Sequence, residues 1–213
     1  MQKHLVKSAV MTAILAAPYL LGGCGGGDPG SEGVEPVDVS SDVAEDLTFL
    51  REEEKLARDV YLTLYDVWGL TVFSKISSSE QRHMDRVAET LAAFGLPDPV
   101  ADDAVGAFTN TEIAGLFEEL VSDGLEDEVA ALTVGAIIEE LDIHDIQNMA
   151  ARTDDPTALA TYESLECGSH SHMRAFMEQL RSRGADYDVQ FISNDYFIEI
   201  LAEAKGSCGD GAQ

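Results

Sequence analysis

"SSSEQRHMDRV", residues 77–87, puts Glu80 and His83 one helical turn apart, in line with Phe73, Ile76, Val87 and Phe94. Those four apolar residues trace the stripe that a helix buries. A charge buried there without a partner costs several kcal/mol. The acid and the imidazole therefore need either a mutual polar partner or a metal. Other stretches repeat the pattern. Leu47, Leu50, Glu54, Ala57, Tyr61 and Leu64 share one face, with Glu53 at its border. Val129, Leu132, Ala136, Glu139, Ile143, Ile146 and Ala150 form another seam, and Tyr162, Leu165, Ser169, His172, Phe176 and Leu180 a fourth. Taken singly, each acid reads as a boundary residue reaching water, and each histidine as a hydrogen-bonded core residue. Taken together, three acids and two histidines converge at one level of four helices. Such carboxylates repel unless protonated or neutralised, and a cation removes the penalty. Glu and His donors with several oxygens suit iron or manganese in a pair.

The 3.6-residue periodicity predicts long helices over about 43–68, 72–94 and 126–152, and a fourth from Asp155-Pro156 to Gly184. A short helix begins in "NTEIAGLFEELVSDG", capped by Asn110 or Thr111, and another covers about 194–205. The fold class expected is all-α. Its short, long, short connections are those of a ferritin-like four-helix bundle with a long crossover, although other helical bundles share the helix lengths.

The first residues, "MQKHLVKSAVMTAILAAPYLLGGC", read as an export signal with Lys3 and Lys7 ahead of a short apolar run. Leu21-Gly22-Gly23-Cys24 resembles the lipobox of bacterial lipoproteins, with Cys24 as the lipidated residue; an ordinary signal peptide with an incidental cysteine is the alternative. The expected organisation is a signal over 1–23, an acidic Gly/Pro tether over 24–42, a helical domain over 43–205 and a tail over 206–213. The expected location is the cell envelope, lipid-anchored at the outer membrane or cell surface. Removing Lys3 and Lys7 with the leader takes the formal charge from −27 to −29. That balance argues against nucleic-acid binding and against a polybasic membrane patch, leaving the lipid as the membrane contact. Cys167 and Cys208 could pair in an oxidising compartment, and no Cys/His zinc pattern is present.

"EEEKLARDVYLTLYDVWG", "SEQRHMDRV", "FGLPDP", "VGAIIEELDIHDI" and "GSHSHMRAF" together resemble an uncharacterised ferritin-like family of bacteria and archaea, a domain of unknown function (2202). The similarity covers roughly residues 45–200 and places the chain beside the rubrerythrins. Glu54-x-x-Ala57-Arg58-x-x-Tyr61 looks like the first rubrerythrin iron motif and Glu80-x-x-His83 matches the second. Glu139 with Asp142 resembles the third, and His172 with Phe176 the fourth. One position departs: superfamily di-iron sites carry Glu three residues before the last histidine, and here Ser169 stands there, with Glu163 and Glu166 on other faces. The resemblance therefore implies metal ligation by Glu54, Glu80, His83, Glu139 and His172, with Asp142 or Glu140 as candidates for a sixth ligand. A lopsided pair, a single metal or a degenerate site all stay open. His170 is expected to be exposed beside the site helix, and His144 to lie on the polar side of the third long helix. Tyr61 and Tyr162 are the aromatic residues expected near the centre.

The rubredoxin-like cysteine module of rubrerythrins is missing, and no glycine run suggests a nucleotide loop. What the resemblance implies is an iron- or manganese-binding protein with ferroxidase or peroxide-reducing activity, a di-iron oxidoreductase if it turns over. The rival is a non-catalytic cell-surface binding or scaffold protein with a structural or vestigial site. A homodimer is the superfamily habit, and cage storage fits the tether poorly.

Overall fold

The computed structural model describes residues 39–203, which form six helices and no strand. The expected signal, Cys24, most of the tether, the tail and Cys208 lie outside the described residues. In chain order the helices are α1 (Ser41–Trp68), α2 (Thr71–Ala93), α3 (Thr111–Gly124), α4 (Glu128–Ala150), α5 (Pro156–Ser182) and α6 (Asn194–Ala202). Five have side-chain N-caps that satisfy otherwise orphaned amides, from Ser40, Asn110, Asp127, Asp155 and Ser193, and Pro156 opens α5. None of the helices is long and apolar enough to cross a membrane.

α1 packs chiefly on α2, and α4 on α5; α2 also meets α5, and α1 meets α4. The apolar residues fall into two clusters. One gathers Val43, Leu47, Leu50, Val87, Leu91, Ile146, Met149, Ala158, Tyr162 and Leu165. The other includes Val60, Tyr61, Leu64, Phe73, Ile76, Leu132, Ala136, Met173, Phe176 and Leu180. Along α1 and α5 the chain passes from the first cluster to the second; along α2 and α4 it passes the other way. α1 and α5 thus run one way and α2 and α4 the other, so the α2–α4 connection must travel back along the molecule. Between the clusters, each of the four helices contributes polar residues to a single layer: Glu54, Glu80 with His83, Glu139 with Asp142, and Ser169 with His172.

The connection back, residues 94–110 followed by α3, is strapped to α1 by charged residues. Arg51 donates from Nε and Nη2 to the Asp98 carboxylate at 3.0–3.2 Å. Glu52 accepts the backbone N–H groups of Thr109 (2.5 Å) and Asn110 (2.9 Å). Lys55, fully buried, donates to Asp59 at 2.5 Å and to the Ala104 carbonyl at 2.8 Å. Asp59 also accepts from Gly106 N–H at 3.0 Å and from Arg58 Nε at 2.9 Å. Most of the charges in "REEEKLARD" (51–59) therefore face the crossover, while Glu54 turns to the four-helix layer beside His83 and Glu53 turns to Asp142 and Asp145 on α4.

Candidate metal centre

Glu80 is the hub. Its Oε2 lies 2.8 Å from His83 Nδ1 on the same helix, and its Oε1 lies 2.8 Å from His172 Nδ1 on α5. Each imidazole nitrogen has a second carboxylate nearby, Glu54 Oε2 at 3.2 Å for His83 and Glu139 Oε2 at 3.3 Å for His172. The two rings stack with centroids 5.3 Å apart. Glu80, His83 and His172 offer ligand atoms all within 4.8 Å of one another, and all three residues are buried. The result is two half-sites, each with one imidazole and one terminal carboxylate, sharing the two oxygens of Glu80.

Gly168 makes room for this. A Cβ at that position would stand 2.3 Å from His83 Nε2 and 2.5 Å from its Cε1. α5 therefore receives the imidazole of α2 against bare backbone. Tyr61 supports the other half: its hydroxyl donates to Glu139 Oε1 at 2.5 Å, while its ring packs on Phe73 and Phe176.

The chain contains its own standard for a buried structural acid. Glu140 takes donors from the Tyr187 hydroxyl and the N–H groups of Gln190, Phe191 and Ile192. Glu52 and Asp59 are likewise met by several donors. The layer acids are not. Glu54 Oε1, Glu80 Oε1, Asp142 Oδ1 and His172 Nδ1 are buried and make no hydrogen bond. His172 Nδ1 and Glu80 Oε1 are close, yet their angles are not those of a hydrogen bond. Lone pairs that approach without facing one another suit convergence on a third centre, and the donor set, two imidazoles and several carboxylates, fits first-row divalent metals.

Electrostatics agree with that fit. Burial pushes Glu54 up to about 7, against the opposing pull of His83 and with a further push from Glu80. Burial and then Glu54 and Glu139 push Asp142 well above the carboxylate range. Glu139 is raised by burial and Glu80, with His172 opposing. Burial opposes the charged imidazoles, but the carboxylates win: Glu80 and Glu54 raise His83 well above its usual value, and Glu80 and Glu139 raise His172 to about 10. Against the cost of burial, His172 and His83 hold Glu80 well below the usual range. Protons thus occupy a layer that bound cations would otherwise neutralise.

Of the residues singled out in the sequence, Glu54, Glu80, His83, Glu139, Asp142 and His172 stand in one layer. Glu140 does not: its carboxylate is consumed by the 187–192 loop. His170, expected to be exposed, is buried, with its ring nitrogens 3.1 Å from Glu203 and 3.0 Å from the Tyr196 hydroxyl. Tyr162 belongs to the apolar cluster of Leu47 and Leu165, away from the layer. His144 is half-exposed and pairs with Asp145 at 2.8 Å. Cys167 is disulfide-bonded; the Cys208 end of the expected pairing lies outside the described residues. The periodicity gave no hint of Gly168 as a contact, although a glycine inside a helix costs about 1 kcal/mol against alanine and so invites a packing reason.

The family model described as "Uncharacterized protein domain (DUF2202)" matches residues 43–204. The uncharacterized protein MJ0754 of Methanocaldococcus jannaschii is 45% identical over 166 residues, covering 78% of this chain and 90% of that one. A crystal structure of hypothetical protein MJ0754 from the same archaeon superposes with a TM-score of 0.78 at 44% identity, covering 81% of this chain and 98% of the other.

Proposed function

We propose that this chain, which belongs to the DUF2202 family, is a ferritin-like four-helix protein that holds a pair of metal ions, iron or manganese, in the layer between its two apolar clusters. The observation that carries the reading is Glu80, whose two oxygens each face an imidazole from a different helix. The helix directions support the ferritin-like arrangement, because a pair of antiparallel hairpins joined by a long crossover is that topology. Glu54 and His83 would hold one ion and Glu139 and His172 the other, with Glu80 placed between them. Bound iron or manganese would supply redox equivalents for ferroxidase or peroxide-reducing chemistry. The chain's own part would be to exclude water between the apolar clusters, to give up the layer's protons to a bound pair, and to orient Glu139 through the Tyr61 hydroxyl.

Export and lipid anchoring at Cys24 belong to the same reading and rest on the lipobox-like sequence. The test is metal analysis of the chain purified without chelators or affinity nickel, beside Glu80→Ala/His83→Ala. Near two equivalents of iron or manganese, lost in the variant, are expected. No metal in either protein after reconstitution would overturn the reading in favour of a helical scaffold. Expression of Cys24→Ser should move the protein from the membrane to the soluble fraction; retention in the membrane would refute the anchor.

A further inference from the structure

Ser169 stands where the resemblance leads one to expect a glutamate, and the structure shows what it does instead. Its hydroxyl donates to Asp142 Oδ2 and lies 3.1 Å from the Leu165 carbonyl, four residues back. Asp142 is 6% exposed, and its other oxygen, Oδ1, is buried without a hydrogen bond. An acid kept for structure in this protein is met by several donors, as Glu140 and Glu52 are. Asp142 has one hydroxyl and a bare oxygen. It also feels the charges of Glu54, Glu139 and Glu80, the acids of both half-sites. A serine within a helix ordinarily bonds back to the carbonyl of the preceding turn. Here the same hydroxyl also reaches across to α4, which fixes the Asp142 carboxylate with one oxygen occupied and the other free.

Resting on the metal reading above, we propose that Asp142, positioned by Ser169, is the fourth carboxylate of the centre and offers its free Oδ1 to it, so that α4 supplies the acid that α5 lacks. The centre would then be held by two imidazoles and four carboxylates, those of Glu54, Glu80, Glu139 and Asp142. The number of acids is thereby kept despite the missing glutamate. A small side chain with a hydroxyl is required at 169 because it leaves room for Asp142 and offers it a donor; a glutamate there would crowd a like charge against it.

The experiment titrates the purified chain with Mn2+, counting bound ions by native mass spectrometry and following the coupled-pair signal by electron paramagnetic resonance. The native chain should bind two ions with a coupled signal. Asp142→Asn should keep at most one tight ion and lose the coupling. Ser169→Ala should bind the second ion about 10- to 100-fold more weakly, the range seen when a group orienting a ligand is lost, and Ser169→Thr should recover it. The double variant Asp142→Ala/Ser169→Glu moves the acid from α4 to α5 and should restore two coupled ions. Circular dichroism on every variant separates loss of a ligand from loss of fold. Two ions with unchanged affinity and coupling in Asp142→Asn would overturn this proposal while leaving the metal reading standing. No Mn2+ or Fe2+ bound by the native chain would overturn both.

Discussion

At the scale of single residues, the centre depends on a contact that carries no charge. His83 leans on the backbone of Gly168, and any Cβ there would occupy its ring. Gly168→Ala removes no ligand and improves helix propensity by about 1 kcal/mol, yet it should push His83 away from Glu80. The expected result is a protein of native helicity whose metal affinity falls about 10- to 100-fold, as for other groups that orient a ligand, measured by competition with a chromogenic chelator. Unchanged affinity would mean that His83 has another rotamer equally near Glu80. Gly135 is a comparable case without the metal, since a Cβ there would stand 2.4 Å from Phe176 Cε1. The candidate ligands were legible because an acid in an apolar seam violates the pattern visibly. Glu140, a candidate sixth ligand only through its place beside Glu139, is instead held by backbone amides some fifty residues away, which one periodic stripe cannot show. His170 failed for the same reason: its burial comes from Tyr196 and Glu203 on and beside α6.

At the scale of elements, the crossover is held by a charge network that periodicity renders as solvated surface. Lys55 and Asp59 form an i,i+4 pair, a spacing common on exposed helix faces, but both are fully buried beneath residues 104–108. Lys55 also sits 4.6 Å from the Phe108 ring centroid. Removing one partner of such a pair leaves an uncompensated charge and costs about 3–5 kcal/mol, while replacing both with apolar groups is often near neutral. Asp59→Ala should therefore lower stability to urea by about that amount and expose residues 94–110 to proteolysis. Lys55→Met/Asp59→Leu should lose much less. Equal losses would show that the hydrogen bonds to Ala104 and Gly106, rather than the unpaired charge, set the cost. Helix ends were legible within a few residues because caps such as Asp155-Pro156 act locally. The path of the long connection was not, since its anchors lie on another helix.

At the scale of the whole molecule, the proposed centre ties protonation and metal to stability. Facing one another across it are Glu53 and Glu54 with Tyr61 from α1, Glu80 and His83 from α2, Glu139 and Asp142 from α4, and His172 from α5. Glu54 titrates at about 7 in the folded chain, above the ordinary 4.5, and His172 at about 10, above 6.5. Both shifts mean that the folded metal-free chain binds more protons than the unfolded chain, so its stability falls as pH rises through those windows. Glu80 has the opposite sign, but its window lies below pH 4.5 and does not compete. The Glu54 share, lost between about pH 4.5 and 7, is on the order of 3 kcal/mol at 1.36 kcal/mol per unit. The acidic surface adds repulsion in the same direction, so Glu54→Gln is the control, and its decline between pH 5 and 7 should be shallower. Bound cations would reverse the slope, because they need the carboxylates ionised and the imidazoles neutral. Calorimetry at pH 5, 7 and 9 should show the midpoint of the chelator-treated chain falling with pH. The gap to the Mn2+-loaded chain should widen over the same steps. A metal-free midpoint that rises between pH 5 and 9 would mean that these acids and imidazoles do not hold their protons together, and that the layer is an ordinary set of ion pairs.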